Sequence, residues 1–254
     1  MLFMLVGESF TGKSVSAGTF PKPMLYLDYD GGFESVKNAK GKDGKLVVLD
    51  WEKIDVVEMK KQTVQELSFV TDMGRGGSGV PPKHVHESPE IIKKFNDIMH
   101  SLEKNEKGYK TLVIDSLSSV FRNWKETLMK INNIPALRIV DYGTLEGVLL
   151  GQFLPTLKAL SLSFIVLIDH VELEKDEMTG QLLEYAVGPS RNMGRNLPKD
   201  IDEFYRQKVE GGDYVWKTKK TGFFQAGSRL SMPETIKPAT FQELSKYLKI
   251  GEIK

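Results

Sequence analysis

The segment "GESFTGKS", Gly7 to Ser14, constrains this 254-residue chain more than any other. Gly7, four residues, then Gly12, Lys13 and Ser14 fit the phosphate-loop pattern G-x-x-x-x-G-K-[ST]. The apolar run "MLFML" precedes it, too short for anything but a strand, and helix-compatible sequence follows. Glycines let the backbone curl until successive N–H groups face inward, and the positive end of the next helix adds to the field. A polyphosphate fits that concavity. The pattern predicts nucleotide contacts from Gly7, Glu8, Ser9, Phe10, Thr11, Gly12, Lys13, Ser14 and Val15. Lys13 reaches the β- and γ-phosphate oxygens, and the Ser14 hydroxyl supplies one ligand to Mg2+.

Thirty-five basic and 34 acidic residues leave a formal charge of +1, so any nucleic-acid contact must come from local patches. The absence of cysteine excludes disulfides and thiolate metal sites. No apolar leader or run of 18 apolar residues is present, so no membrane partner is expected and the cytoplasm is the expected location.

Along the chain, strands are expected at "PMLYLD", at "KLVVLDW" (45–51), within "KTLVIDSLSSV" (110–120) and within "LSFIVLIDHVE" (162–172). Helical stretches at 88–104 and 142–160 alternate with them in the βαβ manner, which predicts a largely parallel sheet covered on both faces. From 201 onward two strand-like runs around Gly211 and Gly212 signal a hairpin at the sheet edge, and Thr240 caps a closing helix at 240–250. Residues 71–86 and 172–192 lack periodicity and read as loops. One α/β domain over 1–254 is the simplest account.

Ligands of an open parallel sheet bind at the carboxyl ends of its strands. Asp30, Asp115 and His170 all fall at such ends. Asp115, after "TLVI", is placed as the aspartate that holds Mg2+ through its water shell; its other reading is a helix N-cap. Asp28 and Asp30, one residue apart, share a strand face, and Asp30 is preferred as the group that deprotonates the attacking water. The alternative for this pair is a turn carboxylate before Gly31 and Gly32. His170 suits contact with the γ-phosphate or that water, or a purely structural role. His84 and His86 read as loop residues rather than a metal pair. Lys217, Lys219, Lys220 and Arg229 lie among aromatics and suit either a phosphate on a neighbouring subunit or a DNA backbone; a solvated hairpin face is the alternative.

In this order "GESFTGKS", "TFPKPMLYLDYDGG", "TLVIDSLSSV" and "FIVLIDHVELEKDEMTG" with the late basic hairpin resemble the RecA-like ATPases. Within them they resemble the small phage-encoded Sak group, recombinase-core proteins that assist single-strand annealing. The resemblance implies ATP and Mg2+ as cofactors, with Lys13, Asp30, Asp115 and His170 as catalytic residues and Ser14 and Asp115 at the metal. It places Asp30 where recombinases carry a catalytic glutamate, one methylene longer, and His170 where they carry a polar sensor. It sends Lys217 and Lys219 into the next subunit of a ring or filament, and implies single-stranded DNA, a single-strand-binding protein and a bacterial host cell as context. Because the sequence opens on its first core strand, the N-terminal segment that links recombinase subunits is not expected, and the mode of assembly stays open.

The leading expectation is an Mg2+-dependent ATPase that binds single-stranded DNA in recombination, annealing or repair. A ring-type replicative helicase or helicase loader uses the same core. A small-molecule kinase would need an arginine-rich lid and an acceptor pocket, and a nucleotide-gated scaffold would bind without turnover.

Overall fold

The computed structural model describes residues 1–59, 88–175 and 180–248. In chain order the elements are β1 (Leu2–Val6), α1 (Lys13–Gly18), β2 (Met24–Asp28), α2 (Phe33–Asn38), β3 (Ile54–Glu58), α3 (Ser88–Lys104), β4 (Thr111–Asp115) and α4 (Leu117–Ile131). Then come α5 (Ile139–Val148), a π-helical stretch at Leu149–Phe153, α6 (Leu154–Ala159), β5 (Phe164–Asp169), β6 (Val171–Lys175), β7 (Leu182–Ala186) and α7 (Arg191–Asn196). β8 (Glu203–Glu210), β9 (Asp213–Lys217), β10 (Gly227–Ser228), β11 (Thr235–Ile236) and α8 (Phe241–Ser245) complete the described chain.

The main sheet runs β11-β9-β8-β1-β5-β4-β2-β3, with β10 also on β8. From β8 to β3 every pairing is parallel; β9, β10 and β11 add antiparallel pairings at one side. This is the mostly parallel P-loop core with an antiparallel C-terminal hairpin that the sequence implies. β1 is central and buried on both faces, which is why "LFMLV" is apolar at every position rather than alternating. Its Phe3 and Leu5 pack with Phe20, Tyr26, Trp216 and Leu244 on one face; Leu2, Met4 and Val6 pack with Phe95, Met99, Phe121 and Leu157 on the other. Each fully buried side chain of this size contributes about 1.5–3 kcal/mol.

Three expectations are corrected. Residues 45–51 form no strand: they fold back from the Gly41–Gly44 turn in a single bridge, Lys40 to Leu46, and bury Val48. The strand beside β2 is β3, "IDVVE", whose acidic residues mark a sheet edge. Residues 172–192 are not a loop throughout. β6 and β7 form a two-stranded antiparallel ribbon with Val171 opposite Ala186, and α7 follows it. The alternation in "VELEK" carried that signal. Finally, Asp28 and Asp30 do not share a strand face, because β2 ends at Asp28 and Asp30 stands in the turn beyond it. The stretch at 71–86 with His84 and His86 lies outside the described residues, as do 176–179 and 249–254, and the closing helix expected over 240–250 is shorter, ending at Ser245 with a turn at 246–248. That helix starts as expected, with the Thr240 hydroxyl accepting from the Glu243 amide.

Among the described residues no helix is long and apolar enough to cross a membrane.

Candidate active site

The P-loop leaves β1 at the carboxyl edge of the sheet, the edge at which β2, β4 and β5 end in Asp28, Asp115 and Asp169. Register aligns these ends: Asp28 faces Asp115 across β2–β4, and Val6 faces Asp169 across β1–β5. Asp115 itself stands opposite Ile168, so the three carboxylates and the loop meet at one edge to within one residue.

Backbone conformation fits the loop to its pattern. Gly12 has φ 80°, and a Cβ there would stand 2.9 Å from the Tyr214 ring. A Cβ on Gly7 would lie 2.8 Å from the Gln207 carbonyl oxygen. Phe10, also left-handed at φ 62°, holds its ring 97% exposed at the loop tip. Lys13 is buried, and its Nζ donates to the carbonyls of Gly7 at 2.9 Å and Glu8 at 2.7 Å. Burial lowers its pKa to about 8, opposed by the charges of Asp115 and Asp169.

Ser14 Oγ donates to Asp115 Oδ2 at 2.6 Å, and the Tyr26 hydroxyl donates to the same oxygen at 2.5 Å. Asp115 is therefore no N-cap; its carboxylate faces the loop. Burial raises its pKa, while the hydrogen bonds from Ser14 and Tyr26 work the other way. Gly32 completes this corner: a Cβ there would lie 3.1 Å from both Asp115 Oδ2 and Ser14 Oγ. A hydroxyl and a buried carboxylate are hard oxygen donors suited to Mg2+, which keeps waters and phosphate oxygens for its other positions. Among the described residues no group of three or more His, Asp or Glu could hold a metal unaided. The donor set fits a cation that arrives with a phosphate.

Asp28 is the turn carboxylate. Its Oδ1 accepts from the amides of Asp30, Gly31 and Gly32 at 3.2, 2.7 and 3.0 Å, and its Oδ2 from Phe33 at 3.2 Å. Asp30 is exposed, with Oδ2 accepting from Ser116 at 2.5 Å and Oδ1 from Ser119 at 2.7 Å. His170 is half-buried where β5 passes into the ribbon, and its carbonyl accepts from the Val187 amide. Burial and the Lys13 charge lower its pKa, so the ring is neutral near pH 7.

Several site residues escaped the sequence reading. Asp169 is fully buried; its Oδ1 accepts from the Ser118 and His170 amides, and its Oδ2 has no partner among the described residues. Arg206, 1% exposed, donates through Nε to Glu184 at 2.5 Å and through Nη1 to the Gln207 carbonyl at 2.8 Å, and its Nη2 stands 3.4 Å from Glu8. Gln207 Nε2 ties the Thr11 carbonyl to Ser16 Oγ, at 2.7 and 2.9 Å, while its Oε1 accepts from the Trp216 indole. The β8–β9 hairpin thus braces the phosphate loop. The only sequence signal was the polar stretch Arg206, Gln207 and Lys208 inside a strand-like run.

The basic residues of 217–229 are not brought together. Lys217 pairs with Glu210 and Thr235 of its own sheet edge. Lys219 and Lys220 are exposed in the segment after β9, close in the chain to exposed Phe223. Arg229 pairs with Asp202 at the start of β8, at the opposite edge of the sheet from the loop.

Among solved structures, the RadB recombinase aligns with 89% of this chain and 83% of its own at 14% identity and TM-score 0.42. The flagellar accessory protein FlaH from Methanocaldococcus jannaschii aligns with 92% and 83% at 12% identity and TM-score 0.38. A prototypical ATPase from the type III secretion system of pathogenic bacteria aligns with 82% of this chain and 52% of its own, at 13% identity and TM-score 0.45. No curated protein matches the chain. The profile of the AAA domain family matches residues 1–230. Since that span takes in every strand that carries a site residue, from β1 to the bracing hairpin, the chain belongs to the AAA domain family.

Proposed function

We propose that the protein is an Mg2+-dependent ATPase that acts on single-stranded DNA in recombination or annealing, in the manner of the phage-encoded Sak group. The observation that carries the ATPase half is the corner where Ser14 Oγ and Asp115 Oδ2 stand 2.6 Å apart, with Lys13 buried next to Ser14 in the chain and exposed Asp30 held by Ser116, the residue after Asp115. Mg2+, held by Ser14 and by Asp115 through water, would neutralise charge on the β- and γ-phosphates. Lys13 turns from its loop carbonyls to those oxygens. Asp30 takes one proton from a water whose oxygen bonds the γ-phosphorus as the bond to the β-bridging oxygen breaks, giving ADP and phosphate. His170, neutral and at the root of the ribbon, contacts the γ-phosphate side and passes its state to β6–β7.

The DNA half rests on exposed Lys219 and Lys220, close in the chain to exposed Phe223, a cationic and aromatic combination suited to a single strand. In a head-to-tail assembly Lys219 also reaches the neighbouring phosphate.

The deciding experiment is steady-state ATP hydrolysis with Mg2+, with and without single-stranded DNA, across protein concentrations and at two salt levels. Turnover that rises with DNA and cooperatively with protein, and is strongly slowed but still measurable in Asp30→Asn, is the expected result. Turnover indifferent to DNA would overturn the DNA half. ATP that binds but is never hydrolysed would make the protein a nucleotide-gated scaffold.

A further inference from the structure

Asp30 has little packing of its own. It is exposed, sits in a turn, and is flanked by Gly31 at φ 76°. A short carboxylate in such a place samples several rotamers unless something outside the turn holds it.

Two buried hydroxyls from one element do so. Ser116, fully buried, donates to Asp30 Oδ2 at 2.5 Å, and Ser119, 6% exposed, donates to Oδ1 at 2.7 Å. Ser118 Oγ stands 2.9 Å from Ser116 Oγ and extends the hydroxyl cluster. Ser116 and Ser119 are three residues apart at the start of α4, so they share one side of its first turn.

The capping of α4 shows that the Ser116 hydroxyl is not spent on the helix. Ser116 is its N-cap residue, the position where a serine ordinarily accepts from an amide of the first turn, yet its side chain makes no such bond. The Asp169 carboxylate, from the next strand, accepts from the Ser118 amide instead. With that amide satisfied by another residue, the Ser116 hydroxyl is free to hold Asp30.

We infer that Ser116 and Ser119 are positioning residues that fix the Asp30 carboxylate against Asp115, one residue before Ser116 in the chain. The inference rests on the reading of Asp30 as the proton acceptor. One short segment, "DSLSS", thereby supplies a metal-corner carboxylate and the clamp on the base, so the distance between the two is set locally. Each Asp30 oxygen keeps a lone pair for water.

The test measures kcat and the dissociation constant for MgATP in Ser119→Ala, Ser116→Ala, Ser119→Thr and Asp30→Asn, and in the double variant Ser119→Ala/Asp30→Asn. Thermal unfolding reports whether each remains folded. Loss of the clamp is expected to lower kcat about tenfold with the dissociation constant unchanged, because misplacement of a reacting group acts on turnover. Ser119→Thr, which keeps the hydroxyl, should retain most of the rate. In the Asp30→Asn background Ser119→Ala should cost nothing further. If Asp30→Asn is slow while both serine-to-alanine variants turn over normally, the positioning role is wrong and the Asp30 reading survives. If Asp30→Asn itself turns over normally, both fall. An equal loss from Ser119→Ala in both backgrounds would reduce the serine to a structural part of α4.

Discussion

Replacing Arg206 by methionine should destabilise the protein by about 3–5 kcal/mol, the usual cost of removing one partner from a buried ion pair. The guanidinium is 1% exposed, and its main partner Glu184 keeps 13% of its side chain exposed, so the carboxylate left behind gains little water. The contact with Glu8 counts for little, since that carboxylate is 66% exposed and stands 3.4 Å away. The assay is equilibrium unfolding in urea. With a denaturant slope of about 3 kcal/mol per molar, the midpoint should fall by about 1 to 1.7 M. The double variant Arg206→Met/Glu184→Leu removes both charges and should recover much of that loss. Arg206 also lowers the pKa of Lys13 through its charge, so that pKa should move up in the single variant. A loss under about 1 kcal/mol, or a double variant no more stable than the single, would refute the buried-pair argument.

Two further outcomes follow from the buried charges. Lys13, with its pKa lowered to about 8 in the free protein, loses its proton as pH rises past that value, and phosphate oxygens would pull its pKa back up. MgATP binding at pH 9 should therefore take up protons, seen as calorimetric enthalpies that differ between buffers of different ionisation heat; Lys13→Met should abolish the difference. For the same reason the charged Lys13 costs stability below about pH 8, and that cost is relieved as pH climbs toward the ordinary lysine value. Burial raises the Asp169 pKa well above the usual carboxylate range, so its charged form costs stability that returns as pH falls. Asp169→Asn keeps the Oδ1 acceptor for Ser118 and His170 and should raise the melting temperature at pH 7 by about 2–4 °C, for about 1 kcal/mol, with the gain shrinking in acid. Asp169→Ala, which removes the acceptor, should lower it.

The chemistry of the site was legible where it is written in contiguous residues. "GESFTGKS" fixed the loop, the strand before it and the helix after it, because a left-handed Gly12 and a lysine at fixed offset are local requirements. "TLVID" and "FIVLID" read correctly as buried strands with polar ends. The β3 assignment went to the more apolar run at 45–51, since composition cannot show which of two neighbouring segments finds a partner strand; the parallel register with β2 decides that. The ribbon at 171–186 was not legible because the alternation in "VELEK" spans only five residues and its pairing partner is a long-range fact.

By itself the sequence determined the class of fold, the edge of the sheet at which the candidate site lies, and the residues Lys13, Ser14 and Asp115 that stand at it, since each sits a fixed number of residues from a strand end. Only the tertiary structure decided which of Asp28 and Asp30 is tied into a turn and which is held by Ser116 and Ser119. It also decided that Arg206 and Gln207, about 200 residues along the chain, brace the phosphate loop, and that Asp169 caps α4 in place of Ser116. These are matters of hydrogen-bond satisfaction: a buried donor or acceptor must find a partner, and which partner lies within reach depends on how the strands are ordered.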